Sequence, residues 1–295
     1  MLTAGVTRVG IVGAGTIGRS WLELFLAAGL EVAVCDPYSS FRHDRARSCA
    51  SLAELADGVD WVQEAVPEDL AVKRAVFAEL DRCAGPGAIL ASSASVLAMT
   101  EIAAGLPGAA RCVVVHPTNP PHLVPLVEIV PGEQTAETVV QRALELMRAL
   151  GQDPIVCRKE IFGFVLNRLQ FALVREALHL LDEGVASAAD IDRCVTSGLA
   201  LRWAFLGPFA VEETNASSIE ADLRTFAEPI RQLFGSLSNR TDGPTERQIG
   251  LAVDGVAELL GDVTHDRLVD YRDEMVGRLR ELKAAHPLRP EPVAT

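Results

Sequence analysis

The sequence predicts an α/β protein in which a mostly parallel sheet, covered by helices on both faces, is followed by an all-helical C-terminal domain. Three observations carry that prediction. Through the first half, short β-branched runs alternate with helical patterns, as expected for parallel strands joined by crossover helices. A glycine-rich turn separates the first run from the first helical pattern. From residue ~158 onward the β-branched runs cease and apolar residues recur at helical spacing.

The elements follow in order. RVGIVG (8–13) is short, β-branched and almost continuously apolar, so it reads as a buried strand. IGRSWLELFLAAGL (17–30) places Trp21, Leu22, Leu24, Phe25 and Leu26 on the apolar face of a helix. EVAVCD (31–36) is the next strand and ends in an aspartate. DWVQEAV (60–66), GAILASSAS (87–95), RCVVVH (111–116) and LVEIV (126–130) continue the series, with helical stretches before several of them. KEIFGFVLNRLQFALVREALHLLDEG (159–184) opens the helical half, so the domains are drawn as 1–158 and 159–295. The tail HPLRPEPVAT (286–295) is proline-rich and expected to fray.

Composition narrows the function. At 295 residues, 49% of them hydrophobic, the chain can bury a sizeable core. A formal charge of −13 argues against a nucleic-acid partner, which demands clustered Lys and Arg. The one basic cluster, FRHDRAR (41–47), contains an aspartate and reads as a solvated loop. No apolar run reaches the ~20 residues of a membrane span, and the N-terminus lacks the features of a signal peptide. The six cysteines are scattered without C-x-x-C spacing, which fits reduced, mostly buried thiols in a cytoplasmic protein and no metal site.

IVGAGTIGRSW contains Gly13, Gly15 and Gly18 as G-x-G-x-x-G. The motif follows a strand and opens a helix, and the second strand ends in Asp36, 18 residues after the last glycine. That context makes it the fingerprint of a Rossmann-type dinucleotide-binding domain. Gly13 allows the tight turn, Gly15 lets a pyrophosphate approach the backbone, and Gly18 lets helix and strand pack closely. The first helical residues, Thr16 and Ile17 among them, bring N–H donors and the positive end of the helix dipole. Asp36 can accept hydrogen bonds from the adenosine ribose and would repel a 2′-phosphate, so the expected cofactor is NAD.

Residues 116–128 read HPTNPPHLVPLVE, with four prolines between His116 and Glu128. Proline fixes φ and lacks an N–H, so the segment is expected to be neither helix nor regular strand. It reads as a stiff loop leading into a strand, able to hold its two titratable ends in place.

Several segments together resemble the L-3-hydroxyacyl-CoA dehydrogenase superfamily: GAGTIGRSW (13–21), VQEAVPEDLAVK (62–73), ILASSASVL (89–97), HPTNPPHLVPLVEIV (116–130) and KEIFGFVLNRL (159–169). LRWAFLGPF (201–209) and YRDE (271–274) look most like its free-acid branch, that of lambda-crystallin (an L-gulonate 3-dehydrogenase) and the carnitine 3-dehydrogenases. The resemblance implies that His116 is the general base removing the proton from a substrate 3-hydroxyl, with Glu128 as its partner. A carboxylate there would fix the tautomer and stabilise the imidazolium. It further implies that Ser95 and Asn167 hydrogen-bond the reacting oxygen, that Asn119 lies near the nicotinamide, and that Ser95, Glu68 and Lys73 line the cofactor cleft.

The chain also departs from that pattern. Only 27 residues separate Asp36 from Glu64, room for one short helix, where acyl-CoA members carry a longer helical hairpin that helps hold CoA and lambda-crystallin also has a long segment. Arg202 stands in a segment that is less polar in those enzymes, and its planar fork suits a free carboxylate. The expectation is an NAD-dependent dehydrogenase of a small L-3-hydroxy acid, similar to L-gulonate or carnitine, with Arg202 in substrate binding. Two alternatives stay open: a 3-hydroxyacyl thioester on CoA or a carrier as substrate, and a crystallin-like NAD-binding structural protein. Apolar helical faces such as FALVREALHLL (171–181) point to a homodimer through the helical domain.

Overall fold

Alternate residues of the first strand, β1 (Arg8–Val12), serve opposite faces of one sheet: Val9 and Ile11 enter the core on one side, Val12 the core on the other. The period of two places side chains this way wherever a strand is covered on both faces. The computed structural model describes residues 5–36, 41–215 and 217–288. The chain divides into two compact units, Met1–Arg168 and Leu169–Thr295.

In the first unit β1 leads into α1 (Thr16–Ala27), β2 (Glu31–Cys35), the two-residue β3 (Arg47–Ser48), α2 (Leu52–Ala56) and β4 (Trp61–Glu64). Then come α3 (Leu70–Cys83), β5 (Ile89–Ser92), α4 (Met99–Ile102), β6 (Cys112–Pro117), β7 (Leu126–Pro131), α5 (Glu137–Ala149), β8 (Asp153–Val156) and the start of α6 (Leu166–Asp182). The eight strands lie in the order β3-β2-β1-β4-β5-β6-β7-β8, parallel throughout except for the antiparallel pair β6–β7. Strand order reverses between β1 and β4, and the carboxyl ends of strands at such a reversal form the crevice where nucleotides bind. Trp21, Phe25, Val140 and Met147 cover one face of the sheet; Leu55, Phe77, Leu80 and Ile102 cover the other. The helical face expected of 17–30 is the buried one, with Leu24 at its half-buried margin.

Two expectations need correction. His116 and Glu128 are not at the ends of a loop: both lie inside strands, and the loop is confined to residues 118–125. Pro117 and Pro131 are tolerated because each is the last residue of its strand. FRHDRAR is not all loop, since His43 and Ala46 form a bridge and Arg47 pairs with Ala33 of β2. β8, with Pro154 and exposed residues, gave no apolar run to read, because an edge strand needs neither. The segment between Asp36 and Glu64 holds the one short helix expected, α2, among its described residues.

The second unit contains α7 (Ala188–Cys194), α8 (Ala200–Trp203), α9 (Pro208–Asn215), α10 (Ile219–Thr225), α11 (Ala227–Ser236), α12 (Glu246–Leu260) and α13 (His265–Ala285). Ser187, Ser218, Thr245 and Thr264 cap four of these helices through their hydroxyls, and Thr245 with Gln248 makes a full capping box. α7 and α12 approach so closely that a β-carbon on Gly255 would overlap that of Ala188. Much of the apolar surface of this unit stays open in the single chain: Phe171, Phe209 and Phe234 are 60%, 79% and 69% exposed.

Candidate active site

The glycine turn is built by two close approaches. Gly13 has φ 94°, and a β-carbon on it would lie 2.7 Å from the Ala65 carbonyl oxygen at the end of β4. A β-carbon on Gly18 would overlap the Gly13 carbonyl oxygen, so α1 could not pack onto the turn. Gly15 differs: nothing lies within 4 Å of its β-carbon position. It is the N-cap of α1 and provides no side-chain cap, so the first N–H donors of the helix are left for another acceptor. Gly15 and Thr16 are exposed and Ile17 is half-buried. Asp36 accepts from the Ala14 N–H at 2.8 Å, fixing its carboxylate against the turn. An open space over uncapped helix donors, with an acid beside it, fits a dinucleotide diphosphate and ribose.

The second feature is the β6–β7 hairpin. Its register sets His116 opposite Glu128, and directly paired antiparallel residues share a face of the sheet. The Nδ1 of His116 lies 2.8 Å from Glu128 Oε2, with the two side chains 8% and 1% exposed. A carboxylate only accepts, so Nδ1 carries the proton in the neutral ring and Nε2 keeps its lone pair. The other Glu128 oxygen accepts from the N–H groups of Val165 at 2.8 Å and Leu166 at 3.0 Å. Burial alone would push the Glu128 carboxyl up, but the bonds from His116, Leu166 and Val165 hold it below the usual carboxylate range. Burial, aided by that neighbouring negative charge, pushes the Cys157 thiol, 3.8 Å from Oε1, up to about 11. Phe164 packs its ring against the imidazole, with centroids 5.5 Å apart.

Ser95 and Asn167 meet here as well. The Asn167 side-chain amide donates to the Ser95 carbonyl at 3.0 Å, while the Ser95 hydroxyl has no hydrogen bond among the described residues. Glu68 holds the Ser95 loop: its Oε1 accepts from the N–H groups of Ser95, Val96 and Leu97 at 2.9, 2.9 and 3.2 Å. Lys73 stands behind Glu68, 3.4 Å away, and its ammonium also bonds Glu64 at 2.9 Å. Burial pushes the Glu64 carboxyl up against the pull of Lys73 and Ser92, whose hydroxyl also donates to it.

The structure thus brings His116, Glu128, Ser95, Asn167, Glu68 and Lys73 into one connected set. Lys73 was expected along the cofactor cleft, but it is 1% exposed and its charge is taken up by two carboxylates, so it supports the Ser95 loop from beneath. Asn119 is exposed in the hairpin loop. Arg202 belongs to the helical unit, on α8, exposed and without an ion pair or hydrogen bond of its side chain among the described residues. Sequence reasoning missed Glu64, Ser92, Cys157 and Phe164. Only Phe164 left a signal, the preceding Gly163, which marks a turn.

Residues 8–51 and 38–161 match the model of the 3-hydroxyacyl-CoA dehydrogenase NAD binding domain, and residues 163–217 that of the 3-hydroxyacyl-CoA dehydrogenase C-terminal domain. The first match comes in two pieces that overlap over 38–51. The chain is 35% identical to lambda-crystallin of Oryctolagus cuniculus over 306 residues, covering 92% of this chain and 95% of that one. It is 37% identical to L-carnitine dehydrogenase of Burkholderia mallei over 310 residues, covering 95% and 96%. Among solved structures, 5-formyl-3-hydroxy-2-methylpyridine 4-carboxylic acid 5-dehydrogenase, an NAD+-dependent dismutase, aligns with a TM-score of 0.78 at 26% identity, covering 97% and 100%.

Proposed function

This chain belongs to the 3-hydroxyacyl-CoA dehydrogenase family of NAD-dependent dehydrogenases, and on that premise we propose that it oxidises the 3-hydroxyl of a small free L-3-hydroxy acid to the 3-keto acid, with His116 as general base. The observation that carries the chemistry is the buried His116–Glu128 pair, which leaves Nε2 as the acceptor. His116 Nε2 takes the hydroxyl proton, and Glu128 offsets the charge that the ring acquires. The Ser95 hydroxyl and the Asn167 amide orient the oxygen toward the base and stabilise negative charge developing on it. The Gly13–Gly18 turn, the N-terminus of α1 and Asp36 would hold NAD, which would supply the hydride acceptor.

The substrate reading rests on other features. L-carnitine dehydrogenase and the pyridine carboxylic acid dehydrogenase are both named for free acids, and both align over nearly the whole chain. The segment after Asp36 offers little with which to hold CoA, and Arg202 offers a fork for a carboxylate. A thioester substrate is the second reading, favoured by the family's own description. The exposed Phe171, Phe209 and Phe234 support a homodimer formed through the helical unit, in which such surface would be covered. The test of the chemistry is His116→Ala, expected to lower turnover by roughly 10²-fold or more with NADH binding retained, because only the proton acceptor is lost. Wild-type turnover in that variant would remove His116 from the mechanism.

A further inference from the structure

The segment Gly163–Asn167 touches His116, Glu128 and Ser95, and its geometry disfavours the residue Phe164 within it. Phe164 has φ 48°, and among the described residues it is the single non-glycine residue with positive φ. A bulky side chain is rare there because Cβ crowds the neighbouring carbonyl. A glycine following Gly163, itself at φ 77°, would adopt the same turn without that crowding. The turn therefore does not require a phenylalanine, and outliers of this kind gather where a site dictates the geometry.

Two contacts say what the site gains. Phe164 is 1% exposed, and its ring meets the His116 imidazole at 59°, closing off one side of it. The left-handed backbone turns the chain so that the next two N–H groups, of Val165 and Leu166, reach Glu128 Oε1, while Oε2 keeps His116. One residue thus bears on both halves of the pair, on the base through its ring and on the carboxylate through the chain direction it sets.

We infer that Phe164 is a positioning residue, whose ring and left-handed backbone together hold His116 and Glu128 in the geometry that proton transfer needs. This rests on the reading of His116 as the base. A ring that only filled the hydrophobic cluster to which Phe164 belongs would add stability without regard to Glu128.

The two roles separate in a double-mutant cycle on kcat. It uses the full chain with NAD and whichever of L-gulonate, carnitine and 3-hydroxybutyryl-CoA turns over fastest. Phe164→Gly is expected to lower kcat about tenfold while KM and the Kd for NADH stay within about twofold. In a Glu128→Gln background the same change should cost less than about twofold, because the pair it orders is already broken. Equal fold losses in the two backgrounds, or a wild-type kcat in Phe164→Gly, overturn the inference. Phe164→Leu, which keeps apolar bulk, enters the same cycle if the glycine variant does not fold, and the same two outcomes decide. His116→Ala, measured alongside, separates the claims. Full activity there defeats the base assignment, whereas an inactive His116→Ala beside equal losses in the cycle defeats only the role of Phe164.

Discussion

Glu128 uses both carboxylate oxygens, and each use predicts a different loss. In Glu128→Gln the amide oxygen can still accept from Val165 and Leu166, but an amide N–H turned toward His116 Nδ1 would favour the wrong tautomer. Turnover should fall, and the acidic limb of the pH–rate profile should move to lower pH, since the imidazolium loses its counter-charge. An unmoved limb would leave Glu128 a purely structural residue. The folded carboxyl is held below its ordinary 4.5, so its contribution to stability is complete above the unfolded value and lost as pH falls through the folded one. Asp36, fixed on the Ala14 N–H, should set cofactor choice. NAD is expected to support far higher kcat/KM than NADP, with Asp36→Ala narrowing the gap, and comparable values in the unaltered enzyme would contradict this.

Among the elements, the glycine turn separates binding from folding. Gly15 has φ −70°, ψ −169°, a conformation open to any residue, and free space at its β-carbon. Gly15→Val should cost no more than about 1 kcal/mol of stability, the scale of losing a favoured N-cap residue. Its Kd for NADH should nevertheless rise roughly tenfold or more, about 1.4 kcal/mol. Gly18→Ala should instead destabilise the fold by about 1–3 kcal/mol, because its methyl would overlap the Gly13 carbonyl. A Gly15→Val protein that binds NADH normally would place the diphosphate elsewhere. The turn was legible in sequence because its signals are local, a strand, three glycines and an acid at fixed offsets. The hairpin was only half legible: the prolines announced rigidity, but nothing in twelve residues of spacing announces the register that puts His116 opposite Glu128. Lys73 was expected at the site, but its pairing with Glu64 stayed hidden for a different reason, since charged residues nine apart give no sign that they will be buried together.

For the whole molecule, the order of strands and helices was readable because parallel strands covered on both faces must be continuously apolar. The two edge strands were not, because an edge strand is free of that demand. Function follows the same division. The glycine motif specifies NAD, whereas the proposed substrate choice rests on features with no local signature: the short stretch after Asp36 and the fork of Arg202 on α8, which has no side-chain partner among the described residues. If that fork meets a substrate carboxylate equally in ground and transition states, Arg202→Met should raise KM for a free acid far more than it lowers kcat. The most direct test of this chemistry is the kcat/KM of the full chain with NAD on L-gulonate, carnitine and 3-hydroxybutyrate against 3-hydroxybutyryl-CoA. At least one free acid is expected to be turned over well above the thioester. Turnover of the thioester alone, with its KM unchanged by Arg202→Met, would contradict it.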